Sequence, residues 1–139
     1  GYGAMEMSYY SRYGGILTVN YAASQDGVIL YSDLLKLQLS MKDGSVIGLD
    51  AKSYLKNHVP RTIGTPAISQ DEAMLRVGAR LAPLSARLCL IPQNNSEYLC
   101  YEVLAADASG EFLVYIDAQT GVERELMQVL SRENGTLVM

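Results

Sequence analysis

Apolar and polar residues alternate along most of this chain, and a period of two marks half-buried β-strands. The alternation is strictest at Leu35-Lys36-Leu37-Gln38-Leu39-Ser40-Met41, which places Leu35, Leu37, Leu39 and Met41 on one face. Met5 to Tyr13 has strand character up to Gly14-Gly15, Ile16 to Tyr21 is rich in β-branched and aromatic residues, and Val28 to Tyr31 is a further short run. Asp26-Gly27 and Lys42-Asp43-Gly44 are turn signals, and the second leads into Val46-Ile47-Gly48-Leu49 as a hairpin. Four more strands are predicted at Arg87–Ile91, Glu97–Ala105, Glu111–Asp117 and Val122–Leu130. Turns at Gln93–Ser96, Ala108–Gly110 and Gln119–Gly121 separate them, and Thr136–Val138 follows Asn134-Gly135 as a small edge strand.

The period changes in two places. Asp50 to His58 reads as a short helix with Asp50 as its N-cap. After a linker from Val59 to Thr65, Ser69 and Glu72 form a capping box, and Ala73, Met74, Val77 and Leu81 form a helical stripe that Pro83 ends. The expected fold is α+β, with antiparallel β-sheets and short helices packed on them. A sheet must cover its apolar face, so one of the two helices is expected to cover both sheets or to bridge them.

Two segments look alike. Leu37 to Gly44 resembles Val114 to Gly121, and the two glycines stand 121 − 44 = 77 residues apart. Each segment follows a strand pair and leads into another strand, which suggests a duplicated unit. Residues 1–60 read as a partial unit without a leading helix, and residues 61–139 as a complete one. The chain starts in strand-like sequence with Gly rather than Met, which reads as an excerpt.

Charge and composition narrow the function. A net charge of −4 argues against nucleic acid, which demands a basic face, and against an anionic membrane surface. No stretch approaches a membrane span of about 20 apolar residues. Ten Tyr with one Phe and no Trp suit half-buried sheet faces and contact surfaces. The tyrosine-rich start, Tyr9, Tyr10 and Tyr13, is the expected partner surface. If Pro92 and Glu97 close their hairpin, Cys89 faces Cys100, either as a strained cross-strand disulfide or as two small apolar side chains.

No catalytic set emerges. The single histidine, His58, stands at a predicted helix end, where the dipole favours a cation, just before the linker. Two cysteines and one histidine match no zinc pattern, and there is no phosphate loop or nucleophile elbow. Asp71-Glu72 is explained by capping, and Asp43, Asp117 and Glu123 sit at turns or exposed faces, so paired-carboxylate glycan cleavage is not expected. Asn94-Asn95-Ser96 and Asn134-Gly135-Thr136 match glycosylation acceptors but read as turns. The chain is expected to be no enzyme and to hold no cofactor or metal.

Several stretches carry a resemblance. Phe112 to Gly121, an apolar strand followed by Asp-Ala, two residues and Gly, resembles the closing strand and turn of a PepSY repeat, and Ile68 to Ala73 is similar to the helix that opens one. Gln25 to Lys36, Asp50 to His58 and Glu133 to Met139 resemble characteristic stretches of the YpeB-like family of spore-germination proteins, with Ser32 standing where proline is expected. The resemblance implies PepSY-like repeats, one partial and one complete. It implies a protein outside the inner membrane of a spore, held by an N-terminal anchor absent from this sequence. Its implied partner is a cortex-lytic enzyme of the SleB type. The leading expectation is a protein-binding module that holds, stabilises or restrains that enzyme; the alternative is a peptidoglycan-binding or structural module. Open sheet edges also leave room for a homodimer.

Overall fold

The computed structural model describes residues 5–79, 81–132 and 135–138, and of residues 9, 130–132 and 135–138 the backbone only. The elements run β1 (Met5–Tyr13), β2 (Ile16–Gln25), β3 (Val28–Ser40), β4 (Val46–Asp50), α1 (Lys52–Asn57), α2 (Gln70–Leu75), β5 (Ala82–Gln93), β6 (Ser96–Asp107), β7 (Gly110–Asp117), β8 (Glu123–Arg132) and β9 (Gly135–Val138). They group into two compact units, Gly1–Pro60 with Leu130–Val138, and Arg61–Val129.

In the first unit β1 to β4 form an antiparallel meander, with β9 paired to β1 at Ser11↔Gly135. Its tight turns use residues that tolerate positive φ. Gly14 and Gly15 join β1 to β2, and Asp26 (φ 53) with Gly27 (φ 79) joins β2 to β3, the twist that suits a two-residue hairpin. The core holds Val19, Ala22, Ala23, Val28, Ile29, Leu30 and Leu35. The second unit is the meander β5 to β8, with α2 packed on β5 and β6. Its core centres on Leu99, Cys100, Val103, Ala105, Val114 and Ile116. Each such fully buried branched side chain contributes about 1.5–3 kcal/mol.

The 77-residue spacing holds at the level of single hydrogen bonds. Gly44 N–H donates to Ser40 O at 2.8 Å, as Gly121 N–H does to Asp117 O at 2.8 Å. Ser40 N–H donates to Ser45 O, as Asp117 N–H does to Val122 O. Met41 N–H reaches Gly15 O at 2.9 Å, as Ala118 N–H reaches Leu99 O at 2.9 Å. The two glycines have φ of 75° and 76°. Both meanders carry a bulge at the matching step, Gln38/Leu39 in one and Tyr115/Ile116 in the other. Two different sequences thus specify one turn, because each supplies a side-chain oxygen for the same donor. Lys42 N–H donates to Ser40 Oγ, and Gln119 N–H to Asp117 Oδ1.

The helices differ from expectation. Ser69 caps α2, its Oγ accepting from Glu72 N–H at 3.1 Å, but the helix stops at Leu75 rather than running to Leu81. Arg76 N–H still bonds back to Glu72 O and Ala73 O, and Gly78, a poor helix former, follows. Pro83 does not terminate the helix. It lies in β5 opposite Ala105, beside a register shift that accommodates its missing N–H. Asp50 does not cap α1. The N-cap is Ala51, and the Asp50 carboxylate accepts from Lys52 N–H while Asp50 itself ends β4. α1 packs on β3 in the first unit, and α2 on β5 and β6 in the second. Val28–Tyr31 and Leu35–Ser40 are not separate strands but parts of one long β3. Within it Leu35 is buried and Leu37 and Leu39 are half-buried, and Met41, in the turn just after it, is exposed.

Candidate functional surfaces

The stretches around Ser32-Asp33 and Tyr54 to His58 meet where α1 docks on β3. Asn57 donates its side-chain amide N–H to Ser32 O at 3.0 Å. His58 Nδ1 pairs with Asp33 Oδ2 at 2.7 Å, and the Tyr54 ring stacks on the imidazole at 4.3 Å. Asp33 is completely buried while the His58 side chain is 35% exposed. His58 is exposed at the end of α1, as its predicted helix-end position implies, and its bond to Asp33 is what the sequence did not show. A buried carboxylate requires a partner, and His58 supplies one to a strand 25 positions earlier. The pairing ties a six-residue helix without a side-chain cap to its sheet.

In the second unit the Asp-Ala-Gln-Thr-Gly segment is a built turn. Asp117 Oδ1 accepts from the N–H groups of Gln119 and Thr120, and its Oδ2 accepts from Arg124 Nε at 2.6 Å. Burial pushes the Asp117 carboxyl up, but the Arg124 hydrogen bond and the two backbone donors outweigh it and hold the group below its usual value. The same bond to Asp117 raises Arg124. Arg124 also lies 3.6 Å over the Tyr98 ring and donates to Gln93 Oε1. Ala118, fully buried, offers its carbonyl to the N–H groups of Ala67 and Ile68, which brings the linker to α2's cap. Gly121 has φ of 76°, and a Cβ there would meet the Arg76 guanidinium at 2.9 Å. The residues of this motif are thus occupied in holding backbone together.

Cys89 and Cys100 face each other, as the hairpin arithmetic requires. Both are free thiols and fully buried. Burial pushes Cys100 up to about 12, and it raises Cys89 further. They behave as small apolar side chains at the centre of a sheet.

The tyrosine-rich start lies on β1. Tyr10 is half-buried opposite Val19, and Tyr13 is 85% exposed at the corner before Gly14. Strand alternation sends these two side chains to opposite faces, and the Tyr9 side chain lies outside the described residues. The larger exposed apolar feature, missed by the sequence reading, is β4. Val46, Ile47 and Leu49 are 62%, 52% and 51% exposed. Among the described residues β4 pairs only with β3 and stands at the end of the strand order. The sequence held a signal for it, a short apolar run just after a turn. Read only as one arm of a hairpin, however, that run carried no sign of its exposure.

On β6 the Glu102 carboxylate is buried and accepts from Arg87 Nε and from the Tyr115 hydroxyl, each at 2.8 Å. A cavity of about 290 Å³ opens beside it. Among the described residues no group of three or more His, Cys, Asp or Glu side chains could hold a metal ion. No described helix is long and apolar enough to cross a membrane.

Comparison with known proteins agrees with this architecture. Residues 1–64 match a family model described as YpeB sporulation, PepSY1 and PepSY2 domains. The sporulation protein YpeB of Bacillus subtilis (strain 168) is 29% identical over 130 residues, covering 93% of this chain and 29% of the relative. YpeB of Halalkalibacterium halodurans is 30% identical over 88% of this chain and 28% of the relative. YpeB of Oceanobacillus iheyensis is 33% identical over 86% of this chain and 27% of the relative. The chain therefore spans less than a third of the length of these relatives. The solved Bacillus megaterium YpeB C-terminal domain superposes with a TM-score of 0.82 at 31% identity, covering 90% of this chain and 56% of that one. With its antiparallel meanders, short helices and Asp-Ala-x-x-Gly turn, the chain is a YpeB-like C-terminal region, with a PepSY-like α+β fold.

Proposed function

We propose that this region is a non-catalytic protein-binding module of a spore-germination protein, which holds, stabilises or restrains a cortex-lytic enzyme of the SleB type in the spore envelope, on the outer side of the inner membrane. The observation that carries the reading is β4, a sheet edge with Val46, Ile47 and Leu49 each more than half exposed. Sheet edges are normally blunted by charge, proline or cover, because an unpaired edge recruits other strands. An apolar edge is suited to a partner segment that adds a strand and seats its side chains against Val46 and Leu49. The motif residues, by contrast, have structural duties: Asp33 and His58 dock α1, and Asp117 builds a turn. The test is amide hydrogen exchange of this chain with and without the cortex-lytic enzyme of the same organism. New protection confined to Val46–Asp50 supports the reading, and unchanged exchange there at saturating enzyme counts against it.

A second reading, a peptidoglycan-binding module, is favoured by Tyr13, whose ring is 85% exposed at a hairpin corner where it could stack on a sugar. Co-sedimentation with purified cortex, lost in Tyr13→Ala, is the outcome that reading requires.

A further inference from the structure

The lysines of this chain gather in one place. All four, Lys36, Lys42, Lys52 and Lys56, fall on the stretch from β3 to α1. Set against Asp43 and Asp50, they give residues 36–59 a net charge of +2. The whole chain carries −4, so the remainder carries −4 − 2 = −6. All four lysines are exposed, and no ion pair between described residues includes one. In the second unit, by contrast, Arg61, Arg87 and Arg124 are each bonded to a carboxylate.

Position ties these lysines to the exposed edge. Lys42 lies in the turn that leads into β4, Lys52 follows the end of β4 by two residues, and Lys56 is one helical turn further along the same face of α1. Lys36 stands on β3 opposite Asp50, the last residue of β4. Both carboxylates are held locally: Asp43 accepts from the Ser45 N–H and hydroxyl, and Asp50 from Lys52 N–H. β4 is thus bracketed by cations at both ends, while its own exposed side chains, Val46, Ile47 and Leu49, are apolar. α1 continues the pattern, with Leu55 73% exposed between Lys52 and Lys56. Neither edge protection nor helix stability accounts for this. Lysine blunts an edge from within the strand, and β4 contains none. Lys52 opens α1, the end where the dipole disfavours a cation.

We propose that the β4 edge selects an acidic segment of its partner: an extended strand with apolar side chains at its centre and carboxylates at both ends. This selectivity rests on the strand-addition reading of β4 and specifies the chemistry of the strand that adds. Val46 and Leu49 match the apolar centre; Lys42 at one end, and Lys52 and Lys56 at the other, match the carboxylates. Exposed charges of this kind act on specificity and association rate, and each pair is weak, so the preference comes from several together. A hydrogen-bonding edge between the cations favours a peptide strand over a lipid surface, which has no use for it.

The experiment is a ¹⁵N-NMR titration of the full chain with three peptides that share the centre Val-Thr-Val-Thr-Val and are flanked at both ends by Glu-Glu, Gln-Gln or Lys-Lys. The Glu peptide should give saturable shifts at the amides of residues 46–50 and bind about tenfold more tightly than the Gln peptide, with the Lys peptide weaker still. The preference should vanish in about 1 M salt, where charges are screened beyond about 3 Å. The Lys52→Gln, Lys56→Gln double variant leaves the Asn57 and His58 contacts of α1 in place. It should lose the preference and keep its affinity for the Gln peptide. Equal binding of the Glu and Gln peptides, or an unchanged preference in the double variant, overturns the proposal and leaves the strand-addition reading standing. No saturable shift at residues 46–50 with any peptide overturns both. Capture of the chain by phosphatidylglycerol vesicles that the Glu peptide does not displace also overturns it, reassigning the lysines to a lipid surface.

Discussion

Gly44 and Gly121 are the same residue in the same turn at the same φ, yet their surroundings differ. A Cβ at Gly44 meets open space, and one at Gly121 meets the Arg76 guanidinium at 2.9 Å. Gly44→Ala should cost about 1 kcal/mol, the price of a left-handed alanine. Gly121→Ala should cost more, because Arg76 must also move. Urea unfolding of the two variants checks this, and equal losses would contradict it. Asp117 carries a pH prediction. Its folded-state carboxyl lies below the ordinary value of 3.8, so its stabilisation is complete above that pH and is lost as the pH falls through the folded value. The urea midpoint should therefore drop below pH 3.8, and the drop should be shallower in Asp117→Asn, which should already be less stable by about 2 kcal/mol at pH 7. For the cysteines, burial predicts that a thiol reagent at pH 8 leaves the native chain unmodified and labels both residues after unfolding. At this scale the sequence showed the opposition of Cys89 and Cys100 and the turn role of Gly121. It could not show His58 meeting Asp33, or Arg76 over Gly121, since neither pair has a local spacing.

Among the elements, strands were legible because alternation is a local signal, and the capping box was legible because Ser69 and Glu72 are three residues apart. Ser69→Ala should cost about 1 kcal/mol, read from the urea midpoint. Helix length was not legible. The stripe through Val77 and Leu81 persists after the helix stops, since both residues still pack inward, Val77 buried and Leu81 half-buried. Periodicity reports burial, and burial does not require a helix. α1 makes the converse case. It has no buried residue and no side-chain cap, so its stability comes from docking through Asn57 and His58. His58→Ala should leave Asp33 buried without its imidazole, and faster amide exchange through Lys52–Asn57 is the expected reading.

For the molecule, the spacing of 77 corresponds to a shared set of hydrogen bonds and a shared bulge. That likeness also makes the differences informative: the charged row at Glu102 and the exposed edge at β4 are what each unit adds to a common meander. Of the partner surface considered from sequence, Tyr10 and Tyr13 of β1 divide between faces. The β4 edge escaped notice because exposure of a short apolar strand depends on which strand pairs beside it. The central claim is that this edge binds a cortex-lytic enzyme. Titration calorimetry of the chain against that enzyme from the same organism tests it most directly, alongside a folded Val46→Lys, Leu49→Lys double variant. Saturable binding that weakens at least about tenfold in the variant is the predicted result; no saturable heat with the folded parent chain, or equal affinity in the variant, would contradict it.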